Sequence, residues 1–425
     1  MPIRNTTEEC MDAEERAQQQ LERLQSALNR AYKNVPFYRN HLQRADRKDP
    51  AQIEELSELS AIPFTERHHL SENYPYGLFA VPLRDVVRIH TAPGATLQPS
   101  VSGYTRQDLS LWRNLVARAL IATGATPTDI MQIALDSGLA NWGRDYKDGA
   151  EAIEASVIPL TILSPQKQLM VLRDYKTSVL VTTAPAAAQI NQQLFQSNVN
   201  PNALSLRTLI LVGEAPDAAI REQLEEQLHV RTWAHYGLSE VPGPAIAFEC
   251  ETRQGLHISE DHFFPEVVHP ETGEALPEGE EGELILTTLT TRAYPLIRFR
   301  TGDRVRLLSG VCSCGRTLRR IEWLPQRAVN GVISIRGVKV HKPYAQLLIE
   351  RLLGPLPTPP RIAAIRHDLH DHLEVWLPAD EDIFSDEIKN LEALIRSVAD
   401  ELTRELGVPV SVRLKEKHSF ESPEK

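Results

Sequence analysis

Apolar positions recur at helical spacing early in the chain. From Ala13 to about Asn34, Leu21, Leu24, Leu28 and Ala31 repeat among Gln, Glu and Arg, predicting an amphipathic surface helix. The helix runs into Val35-Pro36-Phe37-Tyr38, where a proline removes a backbone donor and breaks it. Ile62-Pro63-Phe64-Thr65 and Tyr74-Pro75-Tyr76-Gly77-Leu78-Phe79 read as proline-punctuated loops packed on a core. From about Asp108 to Leu211, helical patterns alternate with short apolar runs such as Ser178–Thr182 and Leu206–Leu211, the signature of βαβ units and a largely parallel sheet. Between about Phe248 and Leu308, alternating strands such as Gly282–Thr287, set off by turns like Pro270-Glu271-Thr272-Gly273, predict antiparallel β structure. A second unit opens near Gly331. Val332–Ile335 is its first strand, then a helix over Tyr344–Leu353, a Pro-rich turn over 355–360, a strand near Leu373–Leu377, a helix over Ile383–Leu406 and a strand over Val408–Leu414. The expected fold class is therefore α/β. A large N-terminal domain (residues 1–326) carries βαβ-type sheets and the antiparallel region, and a small, mobile α+β domain covers 327–425.

Length agrees with two domains, because 425 residues exceed the ~250–300 at which one hydrophobic core stops growing. Lys and Arg number 46 against 57 Asp and Glu, a net charge of −11, which argues against a nucleic-acid footprint. No run approaches the ~18 apolar residues of a membrane span. The acidic start (Glu8, Glu9, Asp12, Glu14, Glu15) lacks the apolar core of a secretory signal. Four cysteines in so long a chain do not make a disulfide framework, so reduced thiols and a cytoplasmic setting are expected.

Those cysteines carry the clearest chemistry. Cys250-x6-His257 and Cys312-x-Cys314 supply three sulfurs and one imidazole, the set for a closed tetrahedral zinc site, and Gly310 and Gly315 flank the second pair as a metal knuckle requires. Four protein ligands leave no open position for water, so the zinc is expected to be structural. The spacing is less specific than a doubled C-x2-C, and four unrelated residues are the alternative.

Several strings then fall in a recognisable order: Val35-Pro36-Phe37-Tyr38-Arg39, the two proline loops above, His235-Tyr236-Gly237-Leu238-Ser239-Glu240, Phe248-Glu249-Cys250, Gly255-Leu256-His257-Ile258, Pro295–Asp303, Cys312–Thr317 and Ile335-Arg336-Gly337-Val338. On these the chain resembles the phenylacetate–CoA ligase family of acyl-adenylate-forming enzymes over nearly its whole length. The resemblance implies that a carboxylate and ATP form an acyl adenylate, that the small domain swings, and that the CoA thiol then attacks. It further implies that Tyr236 stacks on adenine and that Gly213 and Glu214 lie on the adenine side. By the same carry-over Asp303 holds the ribose hydroxyls and Arg327 the ribose and phosphate, Glu240 sits by magnesium and the acyl carbonyl, and Arg336 and Gly337 line the pantetheine channel. Taken singly, Tyr236 reads rather as a core aromatic, Asp303 as a turn residue and Arg327 as a solvated hinge charge, and it is the family context that favours the functional roles. Homodimers are common among such relatives.

The pattern breaks where the outer phosphates of ATP are expected. In place of the family's Ser-Gly-Thr-Thr-Gly-Lys-Pro stands Pro93-Gly94-Ala95-Thr96-Leu97-Gln98-Pro99. A leucine obstructs the converging backbone amides that a phosphate cradle needs, and a glutamine lacks the lysine charge. Gly-Ala-Glu-Pro appears as Val212-Gly213-Glu214-Ala215, and the hinge aspartates as Ala328-Val329-Asn330. Only the terminal Lys425 is available where the family places its adenylating lysine. These losses cluster on attack at ATP. The preferred expectation is thus an acyltransferase moving an aryl or acyl group, anthraniloyl being one candidate, from acyl-CoA to the phosphopantetheine thiol of an acyl carrier protein. In that scheme AMP serves as the way station and His235 is a candidate base for the incoming thiol. The alternatives are an AMP-forming aryl-acid–CoA ligase and a non-catalytic carrier-binding protein.

Overall fold

The computed structural model describes residues 2–43, 53–92, 98–135, 140–160, 163–241, 243–325, 331–335, 338–356, 358–365, 372–379 and 388–416. The first long helix spans Ala13–Asn34, where periodicity placed it, and Asp12 caps it by accepting from the Glu14 amide at 2.8 Å. Leu24, Ala27, Leu28 and Ala31 are its buried stripe. Pro36 ends that helix and also begins the next, Pro36–Gln43, because a first-turn residue has no helical partner to donate to. The loop over Tyr74–Phe79 buries Leu78 and Phe79 and leaves Tyr74 and Tyr76 exposed. The Phe79 ring sits so close to Gly103 that a β-carbon there would meet it at 2.5 Å.

Strands β1 (Arg88–Ala92) and β2 (Ser100–Tyr104) form a hairpin in which Ala92 faces Ser100, so both ends of the 93–99 segment are held side by side. Next come β3 (Ile130–Ala134), β4 (Ser156–Leu160), β5 (Val179–Thr182), β6 (Thr208–Leu211) and β7 (Arg231–Tyr236), all parallel. Antiparallel strands follow: β8 (Ala247–Glu249), β9 (Leu256–Ile258), β10 (Phe263–Val268), β11 (Glu281–Thr288), β12 (Phe299–Leu308) and β13 (Arg320–Trp323). Sequence patterning suggested two separate styles of sheet. They are one 11-stranded sheet in the order β4-β3-β5-β6-β7-β8-β9-β13-β12-β11-β10, and β7 belongs to both halves.

Beyond Gly331 lie a hairpin of β14 (Val332–Ile335) with β15 (Val338–His341) and a three-stranded sheet of β16 (Arg361–Ile365), β17 (His372–Ala379) and β18 (Val410–Glu416). The helices Lys342–Leu353 and Ile388–Leu406 accompany them, and Leu402 and Leu406 are buried. The last strand starts later than patterning placed it, because Gly407 adopts a positive φ after the helix and delays the extended chain.

Candidate functional site

The site forms at the carboxyl end of β7, where the sheet changes from parallel to antiparallel; in open α/β sheets ligands bind outside strand carboxyl ends at such switch points. Tyr236 closes β7, and Gly237 turns the chain so tightly that a β-carbon would lie 2.7 Å from the Gly243 carbonyl. Beside it, β6 delivers Gly213, whose φ of 94° favours glycine, and Glu214. Opposite, β12 presents Asp303. Its carboxylate oxygen Oδ2 accepts from the Tyr236 hydroxyl at 2.8 Å and from Lys339 Nζ of β15 at 2.5 Å. Tyr236 is fully buried and its ring meets Trp323 edge-on at 5.0 Å, so in this state its hydroxyl holds Asp303 in place.

A cavity of about 770 Å³ opens above this carboxylate, walled by Gly213, Glu214, Ala215, Trp323 and Lys339. A second chamber of about 270 Å³ is lined by Arg67, His90, Trp142, Glu240 and Leu406. Thr65 bridges to β12 through backbone hydrogen bonds with Arg298 and Arg300, which sets the helix Arg67–Glu72 over the site. From there Arg67 donates to the Glu240 carboxylate. Burial pulls the guanidinium down to about 10, against the opposing pull of Asp303. Neither Arg67 nor Lys339 stood out in the sequence. The signals were slight: Arg67 follows the Ile62–Thr65 string, and Lys339 follows the Arg336-Gly337-Val338 string.

His235 sits elsewhere than a base for an incoming thiol needs. It is fully buried, its Nδ1 lies 2.9 Å from the Tyr146 hydroxyl, and it lines neither cavity. Burial pushes it down to about 3, so it is a neutral, sealed imidazole. Arg327, Arg336, Gly337, Lys425, Ala328–Asn330 and the core of the phosphate segment, 93–97, lie outside the described residues.

The four sulfur and imidazole residues converge. One ligand atom from each of Cys250, His257, Cys312 and Cys314 lies within 4.8 Å of the others. Cys250 and Cys312 sulfurs are 3.6 Å apart, and Cys314 lies 3.5 Å from His257 Nε2. His257 Nδ1 is 3.1 Å from the Leu318 carbonyl, a contact that turns the Nε2 lone pair toward the sulfurs. Hydrogen bonding from Cys250, and then His257, holds the Cys314 thiol well below its ordinary range. Positive φ at Gly310 and Gly315 shapes the turn that brings Cys312 and Cys314 together. The donor set and its compactness fit a tetrahedral metal.

No family model matches the chain. Among curated proteins it is 37% identical over 405 residues to a phenylacetate–coenzyme A ligase of Thermus thermophilus, covering 93% of this chain and 90% of that one. A ligase of the same name from Aromatoleum evansii is 34% identical over 430 residues, covering 99% and 96%. The chain belongs to the phenylacetate–coenzyme A ligase family. The counterpart from Escherichia coli is 41% identical over 323 residues, covering 76% of this chain and 73% of that one. Among solved structures, a 2-hydroxyisobutyryl-CoA ligase in complex with 2-HIB-AMP and CoA in the thioesterification state superposes with a TM-score of 0.89 at 23% identity, covering 99% of this chain and 90% of that chain. The same ligase in the postadenylation state gives 0.72. These relatives carry ligase names, so the comparisons back the ligase alternative over the preferred transfer to a carrier protein, for which they offer no support. Among the described residues no helix is long and apolar enough to cross a membrane.

Proposed function

We propose that this protein joins an aromatic carboxylic acid to coenzyme A through an acyl adenylate. The observation that carries the reading is the Asp303 carboxylate, fixed by Tyr236 and opening onto the large cavity, beside a smaller chamber holding Glu240 and Arg67. In this reading Asp303 accepts from the ribose hydroxyls, adenine lies against Gly213, Glu214 and Trp323, and the acyl group enters the chamber walled by His90 and Trp142. His90 is pulled down to about 4, first by burial, and presents a neutral edge to that chamber. Glu240 remains the candidate for the magnesium side, and residues 327–425 for the swinging domain that carries Arg336 and Gly337 over the pantetheine. Cys250, His257, Cys312 and Cys314 hold a structural zinc.

The acyltransferase reading keeps one observation in its favour: Leu97 and Gln98 stand where the phosphate cradle needs glycine and lysine. A single set of assays separates the two. The ligase reading expects pyrophosphate release from ATP that depends on an aryl acid such as phenylacetate, and phenylacetyl-CoA when CoA is added. Aryl-CoA consumption with a loaded carrier protein, without pyrophosphate release, would replace it with the transferase reading.

A further inference from the structure

The cleft has a cation that family motifs did not assign. Lys339 lies on β15, where Val338 and Val340 are buried and Lys339 and His341 take the alternate face. Lys339 turns toward the cleft. Lys339 Nζ reaches Asp303 at 2.5 Å and the Thr301 carbonyl at 3.2 Å, the one ion pair among the described residues that joins the region after Gly331 to the large sheet. The large cavity and the acyl chamber share two residues, Gly213 and Lys339. Lys339 therefore stands at the neck between them. Arg67 reaches the same Thr301 carbonyl at 3.4 Å and lines the acyl chamber with Lys339, and burial first, then both positive charges, pulls His341 down. The His341 Nε2 is buried without a hydrogen-bond partner. The two cations thus meet at the Thr301 carbonyl, at the neck that a ligand spanning both cavities must pass.

An acyl adenylate with its ribose at Asp303 and its acyl group beside Glu240 would place its phosphate at that neck. We infer that Lys339, with Arg67, is the phosphate-binding residue of the thioester-forming state, and that it leaves Asp303 for the phosphate when a nucleotide enters. The inference rests on the adenylate reading above. Lys339 serves two ends there. It ties the docked small domain to an occupied site, and it neutralises charge as AMP departs. In that step the CoA thiol gives its proton to water and the thiolate sulfur bonds to the acyl carbon. The acyl C–O bond to phosphate breaks, and its electron pair leaves on the phosphate oxygen of AMP. A lysine stem with four rotatable bonds makes the exchange from carboxylate to phosphate feasible without moving the strand.

The test compares wild type, Lys339→Gln and Lys339→Arg as full chains, by calorimetric titration with adenosine and with AMP, so that the ratio isolates the phosphate. Single-turnover thioester formation from supplied phenylacetyl adenylate and CoA is measured alongside. Wild type is expected to prefer AMP over adenosine. Lys339→Gln should shrink that preference about tenfold, as loss of a charge-assisted hydrogen bond does, while adenosine still binds and reports a folded site. Lys339→Arg should retain most of the preference. An unchanged preference in Lys339→Gln overturns the inference. Wild type that binds both ligands but forms no thioester overturns the ligase reading alone, and the AMP preference then decides on Lys339. Wild type that binds neither overturns the nucleotide site and the inference with it.

Discussion

Two polar sites hang from the antiparallel half of the sheet, and they are built on opposite plans. At the Cys250–Cys314 cluster every donor faces another donor, and the surrounding contacts tie down the chain. Arg316 reaches Cys314 at 3.7 Å and, fully buried, pairs with the fully buried Glu9 at 2.6 Å, so the cluster also anchors the N-terminal segment. At Asp303 the fixed carboxylate faces a cavity, and its ionic partner is a flexible lysine from another part of the chain. A site whose charges are all satisfied internally holds structure. A site whose charges face open volume is poised to exchange partners.

The sharpest way to break this contrast is at the cluster. Cys312→Ser, or prolonged chelation of wild type, is expected to cost about 5 kcal/mol of stability, in the range where loss of a metal ranks among the largest single effects. Denaturant unfolding and metal analysis, expecting about one zinc per chain, check it. AMP affinity should barely move; a cluster whose loss abolishes nucleotide binding while leaving the unfolding midpoint intact would reverse the two assignments. Glu9→Gln comes next. It leaves Arg316 buried without its carboxylate, and breaking a buried pair costs about 3–5 kcal/mol. Unfolding should begin at lower denaturant with zinc content retained, which separates the anchor from the metal. Third is Asp303→Asn, expected to lower thioester formation from phenylacetyl adenylate about 100-fold, roughly 3 kcal/mol, through lost charge-assisted hydrogen bonds. Its stability should change far less than that of the cluster variants. The reverse ranking would mean that Asp303 serves mainly to hold Lys339 and the C-terminal region in place.

The same contrast explains what the sequence made legible. The helix Ala13–Asn34 and the β5, β6 and β11 strands follow from local periodicity, which their packing does not override. The cluster was readable because cysteine and histidine in close pairs have few other uses, and Asp303 and Tyr236 because they sit in strings with a family context. Lys339 and Arg67 were not readable. Their partners lie 36 and 173 residues away, and a lysine alternating with valines in a short strand looks like any solvated face until topology turns it inward. The joining of two sheet styles through β7 was hidden for the same reason, since strand neighbours are set by tertiary order and not by pattern.

His235 provides the smallest and most exacting probe, because it adjoins Tyr236 yet belongs with the sealed groups. An unfolded imidazole titrates near ~6.5, whereas burial holds His235 down to about 3 in the folded chain. Between those values the unfolded state binds the extra proton. The contribution of neutral His235 is therefore complete above about pH 6.5 and is lost as pH falls toward 3. At pH 5 the loss from this residue is about 2 kcal/mol. His90 and His341, depressed to about 4 and about 3, tilt stability the same way. His235→Gln should flatten the fall in denaturant stability between pH 6.5 and 5 by that amount, whatever its own cost at neutral pH. Thioester formation at pH 7.5 should stay within about threefold of wild type, since a neutral imidazole bonded to Tyr146 and off both cavity walls takes no proton from the thiol. A variant with the wild-type pH slope and a rate lowered a hundredfold would move His235 from the sealed side of the comparison to the working one.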